Sequence, residues 1–354
     1  MKRRLAFLTA ALLALLCVYP SAAGGGAADP LISLSYLNGV FSDRVNAAVD
    51  GKISVAGDAV SVLPVSRGWL QTRLKQGDVL SGSTGTGFMV LAGSVRAAAS
   101  GAVVDVTDGG ELSGSSLLAA NHRYLVAEES SASFFVESKT AVIQYQGPYQ
   151  CSYSSTVDYN AIARALKALH LFQGTLTGYG EGFDLEAAPT RLQALIMFIR
   201  LLGEEDAALA WTGGCPFTDI AAGSSAARYV GYAYDKGYTN GYTADTFRPS
   251  QKISAGQYVE FALRALGYSS AANTDISDAL LRAKTAGVLT ESECAMLDSG
   301  PFLRAELVYI SYYTLDAPHA VSGLPLRQLL LEQGVFTPAE AIGAAELITS
   351  GRLW

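Results

Sequence analysis

The stretch Pro216-Phe217-Thr218-Asp219, Lys236-Gly237-Tyr238-Thr239-Asn240-Gly241, Phe247-Arg248-Pro249 and Ile253-Ser254-Ala255-Gly256-Gln257, closing at Leu266-Gly267, decides how the rest of the chain is read. Ala226 to Lys236 is a helical run that Gly237 stops, because a glycine after the last apolar position accepts the left-handed backbone that ends a helix. Ser254 and Gln257 have the spacing of a capping box, in which each side chain satisfies a free amide at the helix start. The unit is helix, loop, helix.

The same order recurs upstream, where Gly174, Phe183, Thr190, Arg191, Gln193 and Leu202-Gly203 follow one another as Gly241, Phe247, Ser254, Ala255, Gln257 and Leu266-Gly267 do. Leu195, Phe198, Ile199 and Leu202 match Val259, Ala262, Leu263 and Leu266, a spacing that puts one apolar face on each helix. A third copy has Leu303-Arg304-Ala305-Glu306 followed by Val308, Tyr312 and Leu315. Three copies predict an array in which each unit buries its apolar face on its neighbours.

At these residues, from about Asp158 to Asp316, the chain resembles the S-layer homology family. The resemblance implies about three repeats, here about 156–205, 216–268 and 276–316, holding a secreted protein on the wall of Gram-positive bacteria. It also implies that the Arg of the family's Thr-Arg-Ala-Glu helix start contacts an acidic, often pyruvylated, secondary cell-wall polysaccharide. Thr190-Arg191-Leu192-Gln193 and Arg304-Ala305-Glu306 keep that Arg, and the middle repeat has Ala255 in its place. The glycan-binding residues implied are Arg191, Arg304, Asp219, Tyr238, Thr190 and Glu306.

Physical chemistry leaves alternatives at several of these positions. An Arg in the first turn of a helix opposes the helix dipole, so Arg191 and Arg304 serve either a ligand or a salt bridge between repeats. Beside free backbone N–H groups, either guanidinium would offer a glycan carboxylate a charge-assisted fork and the positive helix end together. Tyr238 either stacks on a sugar ring or packs on its own helix. Asp219 is either a groove residue or a helix cap.

Lys2-Arg3-Arg4 precedes an apolar run from Leu5 to Val18, and Ser21-Ala22-Ala23 supplies the small residues a signal peptidase reads, so residues 1–23 are expected to be a secretory signal peptide. The run is too short for a membrane span, and no transmembrane segment is expected in the mature chain. The full chain has 25 basic and 32 acidic residues; loss of the three basic residues of the signal leaves 22 against 32, a net charge of -10. Without a basic stripe to neutralise phosphates, nucleic acid is excluded as a partner. Cys151, Cys215 and Cys294 form no Cys-x-x-Cys pair and are read as small buried thiols, a single disulfide among them being the alternative, and His122, His170 and His319 are scattered. No metal and no cofactor are expected.

From Leu31 to Tyr149 the chain is rich in Gly, Ser and Val, with short β-branched or alternating runs at Lys52–Val55, Val60–Val65, Val79–Leu80, Phe88–Leu91, Val103–Val106, Tyr124–Ala127, Phe134–Val136 and Ala141–Tyr145. Turn residues every ten or so positions predict an all-β sandwich or barrel over 29–148, followed by a linker at Gln146 to Ser155. Gly82 to Phe88 lacks the Gly-Lys-Ser/Thr of a phosphate loop and is expected to be a turn. Asp105-Val106-Thr107-Asp108-Gly109-Gly110-Glu111 gathers three carboxylates without the ladder of an EF-hand. No nucleophile elbow and no Ser-x-x-Lys occurs.

After the repeats, Leu324 to Gln333 and Ala341 to Ile348 predict two helices, the second opened by the capping box Thr337/Glu340, forming a C-terminal helical cap over 317–354. The expected fold is therefore multidomain, an N-terminal all-β sandwich or barrel followed by an all-α array of three repeats with that cap. The expected function is display of the β domain, whose own partner is unknown, by an anchor on the cell wall or cell surface, without catalysis. Two alternatives are a wall-tethered glycan-active enzyme with its carboxylates in the β domain and an interaction scaffold whose repeats no longer bind the wall.

Overall fold

Alternating small and β-branched residues between glycine turns build ten antiparallel strands in the computed structural model, which describes residues 65–112, 114–175, 179–268 and 278–354. The signal peptide and the strands expected at Lys52–Val55 and over 60–64 lie outside the described residues. The strands are β1 (Val65–Lys75), β2 (Val79–Ser83), β3 (Gly87–Ala92), β4 (Val95–Ser100), β5 (Val103–Asp105), β6 (Gly110–Leu112), β7 (Ser115–Leu117), β8 (Arg123–Val126), β9 (Ser131–Val136) and β10 (Thr140–Ser152). One sheet runs β1-β10-β3-β8-β5-β6 and the other β10-β2-β9-β4-β7, with β10 common to both. The result is a nearly closed antiparallel barrel or sandwich.

Gln146 to Ser152 is not a linker: it belongs to β10, which pairs with β3 as far as Gln146, with β1 through Gly147-Pro148 and with β2 from Tyr149 onward. Gly147 makes the change of sheet possible, because its φ is +87° and a Cβ there would stand 2.6 Å from the Gly85 carbonyl oxygen. The sequence signal for a linker and for a strand bend is the same, a Gly-Pro pair in an apolar surround.

Between the sheets the rings of Phe88 and Phe134 stack with centroids 4.0 Å apart, surrounded by Leu80, Val90, Val95, Val103, Tyr124 and Ile143. Strand alternation sends Phe134 inward and Phe135 outward, with 1% and 39% of their surfaces exposed. Phe134→Ala is therefore expected to cost about 3–5 kcal/mol in urea unfolding, and Phe135→Ala no more than about 0.5 kcal/mol. A larger loss at Phe135 than at Phe134 would mean that the register is wrong by one residue.

The helical half begins at α1 (Tyr159–Ala168), followed by α2 (Arg191–Leu201), α3 (Glu205–Leu209), α4 (Ser225–Asp235), α5 (Ala255–Ala265), α6 (Ala279–Thr285), α7 (Glu291–Asp298), α8 (Arg304–Thr314), α9 (Leu326–Glu332) and α10 (Pro338–Glu346). The capping boxes expected at Ser254/Gln257 and Thr337/Glu340 are present, as are further ones at Thr190/Gln193 and Thr290/Glu293. The three 11-residue helices α2, α5 and α8 touch one another, and a further helix packs on each: α4 on α2, α6 on α5 and α1 on α8. Leu195, Phe198, Ile199, Val259, Leu263, Val308 and Tyr309 fill the shared core. Hydrophobic burial of this kind, not helix propensity, is what holds helices of three turns together.

Candidate functional site

Helix α2 opens on a cap in which Thr190 Oγ1 accepts from Gln193 N at 3.2 Å, and Gln193 Oε1 accepts from Thr190 N at 2.9 Å. Its next two amides are not free: Arg191 N donates to the Gln251 carbonyl at 2.7 Å and Leu192 N to that of Pro249 at 3.1 Å. Helix α8 repeats the arrangement, with Arg304 N on the Ala187 carbonyl at 2.9 Å and Ala305 N on that of Leu185 at 3.1 Å. The expectation of free helix-end N–H groups beside either Arg is thus corrected: a loop from another part of the helical half supplies the carbonyls.

The two guanidiniums differ in how well they are satisfied. Arg191 is 5% exposed, lies 4.9 Å from the centroid of Phe247 and 5.5 Å from that of Phe261, and makes only long contacts through Nη2, 3.2 Å to the Gly241 carbonyl and 3.4 Å to Thr239 Oγ1. Its Nε is buried and unpartnered. Burial pulls its pKa down to about 10, with the nearby Arg264 acting the same way, so it stays charged at neutral pH. Arg304 is 4% exposed and donates from Nε to the Phe183 carbonyl at 3.0 Å, with Phe172 5.6 Å beneath it. Burial lowers its pKa as well, and Asp184 works against that.

Asp219 caps no helix. Its carboxylate accepts from Phe247 N at 2.9 Å and Arg248 N at 2.7 Å, while Ser224 caps α4. Asp219 thereby fixes the loop that puts Phe247 under Arg191, and Arg248 takes a positive φ of 60° there. Tyr238 packs on its own array: its ring meets Phe198 edge-on at 5.5 Å, and its hydroxyl donates to Glu204, which also accepts from Tyr232. Glu306, 1% exposed, accepts from Leu303 N at 2.9 Å and pairs with Lys139 of the β half. Thr190, Arg191, Asp219 and Tyr238 belong to the surroundings of α2, whereas Arg304 and Glu306 open α8. At the third helix start Ala255 leaves a cavity of about 510 Å³ lined by Ile253, Ala255, Leu280, Leu297, Asp298 and Phe302.

Sequence reasoning missed Thr239, Phe247 and Phe261 as partners of Arg191, although the fixed distance from Phe247 to the helix start carried the signal for one of them. In the β half, Asp105 accepts from Thr107 N and Asp108 N at 2.9 and 3.3 Å, which explains the acidic run as a turn. Its other oxygen lies 2.8 Å from His122 Nδ1, and Asp105, Asp108 and His122 present donor atoms within 4.8 Å of one another. The hydrogen bond that His122 donates to the Asp105 carboxylate raises the His122 pKa above its ordinary value. A raised folded-state pKa adds stability below the unfolded value that is lost as pH rises through the folded one. Asp105→Asn should therefore return the His122 titration, followed by NMR, toward the ordinary value; no movement would assign the shift elsewhere. Cys151, Cys215 and Cys294 are free thiols, each partly buried. No helix among the described residues is long and apolar enough to cross a membrane.

The S-layer homology domain family matches residues 216–259. A curated relative, Cell surface glycoprotein 1 of Acetivibrio thermocellus, is 33% identical over 92 residues, which is 26% of this chain and 4% of that protein. The chain thus spans a small fraction of the relative it matches. Among solved structures, a hydroquinone 1,2-dioxygenase is 18% identical over 27% of this chain and 69% of its own, with a TM-score of 0.16. The rmlC epimerase of Mycobacterium tuberculosis is 19% identical over 30% of this chain and 54% of its own, with a TM-score of 0.17. Scores this low define no shared fold. The segment from Pro216 to Val259, with Asp219 tying its two ends and a capped helix closing it, is an S-layer homology domain carried by this chain.

Proposed function

We propose that the chain is an exported surface protein held non-covalently on a Gram-positive cell wall by three S-layer homology repeats that bind an acidic secondary polysaccharide, with the helices over 317–354 as a cap and the β half displayed outward. No catalytic step is assigned to it. The cyclic packing of α4 on α2, α6 on α5 and α1 on α8 supports three equivalent units, since each lends its first helix to another. The matched relative's name, a cell surface glycoprotein, supports the location.

The observation that carries the binding reading is Arg191, a buried guanidinium with an unpartnered Nε and no carboxylate among the influences on its charge. Leaving a charge so poorly satisfied is costly unless an anion completes it, and a glycan carboxylate offers the bidentate match. The test is co-sedimentation of the full chain with peptidoglycan sacculi, before and after chemical removal of the secondary polymer. Arg191→Ala with Arg304→Ala should pellet less than either single variant, because weak sites on one chain reinforce each other. Unchanged pelleting by a folded double variant would leave the second reading, an interaction scaffold without wall binding. The internal bond of Arg304 and the alanine at 255 favour that reading.

A further inference from the structure

The 183–187 loop that closes on Arg304 is held from its other side by the β half. Arg73 of β1, with 2% of its side chain exposed, donates from Nε to Asn160 Oδ1 at 2.6 Å, from Nη1 to the Gly180 carbonyl at 2.7 Å and from Nη2 to Glu186 Oε1 at 2.8 Å. Its guanidinium also lies 5.5 Å from the Phe183 ring. Gly180 is fitted to this contact, since a Cβ there would stand 2.4 Å from Arg73 Nη1. The Leu185 and Ala187 carbonyls and that of Phe183 meanwhile face α8 and Arg304. Lys139, just before β10, reaches the other wall of the same junction by pairing with Glu306 in the first turn of α8. The partners of Arg191, by contrast, are Thr239, Gly241, Phe247 and Phe261, all in the helical half.

We propose that Arg73 is a positioning residue for the Arg304 junction, so that one of the two arginine sites is shared between the β half and the repeats while the other belongs to the repeats alone. The proposal rests on the wall-binding reading for its binding readout and on geometry for the rest. A guanidinium with three bonds and a ring beneath it fixes both ends of a short loop, and a displacement of that loop would move the Phe183 carbonyl away from Arg304 Nε. A merely structural role would weaken both junctions alike.

The test uses the full chain and sacculi bearing their secondary polymer. In an Arg191→Ala background, where the Arg304 junction remains, Arg73→Leu should weaken pelleting by roughly tenfold; in an Arg304→Ala background it should change it by less than about twofold, as expected of uncoupled sites. Hydrogen exchange supplies a readout independent of the ligand: amides over 183–187 and at Arg304 and Ala305 should exchange faster in Arg73→Leu, and those over 247–251 should not change. If Arg73→Leu does not fold, Glu186→Gln removes one of the three bonds and should show the same pattern at smaller amplitude. Equal losses in both backgrounds, or protection lost evenly across the two loops, would overturn the proposal. If no arginine variant alters pelleting, the wall-binding reading fails and the exchange pattern alone decides whether Arg73 positions the junction.

Discussion

Arg191→Met should lose roughly tenfold or more in pelleting with sacculi, yet unfold at the same or a higher urea concentration than the parent chain. A hydrogen bond to a charged group contributes about 1.5–3 kcal/mol, which sets the expected loss of binding. On the stability side the guanidinium gives up little, because its Nη2 contacts are 3.2 and 3.4 Å long and its Nε has no partner. Replacing poorly compensated buried charge by an apolar chain of similar length is often neutral or stabilising by about 1–4 kcal/mol. Methionine also keeps a flexible body against Phe247 and Phe261, where alanine would open a hole. Arg304→Met should differ, losing about 1.5–3 kcal/mol of stability with the bond to the Phe183 carbonyl. A destabilised Arg191→Met that pellets normally would mean that Arg191 is a packing residue.

Much of the helical half is legible in the sequence because its signals are local. Thr190 with Gln193 and Ser254 with Gln257 lie three residues apart, and Leu195, Phe198, Ile199 and Leu202 recur at helical spacing, so helix starts and faces follow from a short window. What a window does not carry is which loop meets which helix start. Gln251 and Pro249 close α2, and Leu185 and Ala187 close α8, across more than fifty residues in each case. The loop-fixing bonds of Asp219 were not legible for the same reason, since its partners, the amides of Phe247 and Arg248, lie beyond any capping window.

The β half was legible where strands are β-branched or aromatic, as at Phe88, Phe134 and Ile143. It was missed where they are not. β4 is carried by Ala97, Ala98 and Ala99, residues with little β propensity that fit because they oppose Phe134 and its neighbours in β9. β1 carries Arg73 and Lys75, whose charges suggest an exposed surface. Both are buried because the helical half covers Arg73 and Asp78 pairs with Lys75 at 2.9 Å. A buried charge reads as a surface residue until its partner is known.

The C-terminal residues should be as tightly coupled to fold stability as a core position, through the pair of Glu293 and Arg352. Glu293 has no exposed side-chain surface; its Oε1 lies 2.7 Å from Arg352 Nε, and its Oε2 accepts from Arg352 Nη2 at 2.8 Å and from Thr290 N at 2.9 Å. Arg352 also donates to the Val288 carbonyl at 2.8 Å and lies 5.3 Å from the Tyr313 ring. The two ends of the pair are not equivalent. Arg352→Ala strands a carboxylate where water does not reach, and the loss of one partner of a buried pair costs about 3–5 kcal/mol. Glu293→Gln keeps an acceptor for Thr290 N and leaves an Arg side chain that is 14% exposed and can turn outward, so it should cost only about 1–2 kcal/mol. Glu293→Leu with Arg352→Met removes both charges and should come back to within about 1 kcal/mol of the parent, because neither group is then buried unpaired. Urea unfolding followed by circular dichroism measures all three. An Arg352→Ala variant within about 0.5 kcal/mol of the parent would show that the tail only rests on α7 and α8, and that the array is closed by α9 and α10 alone.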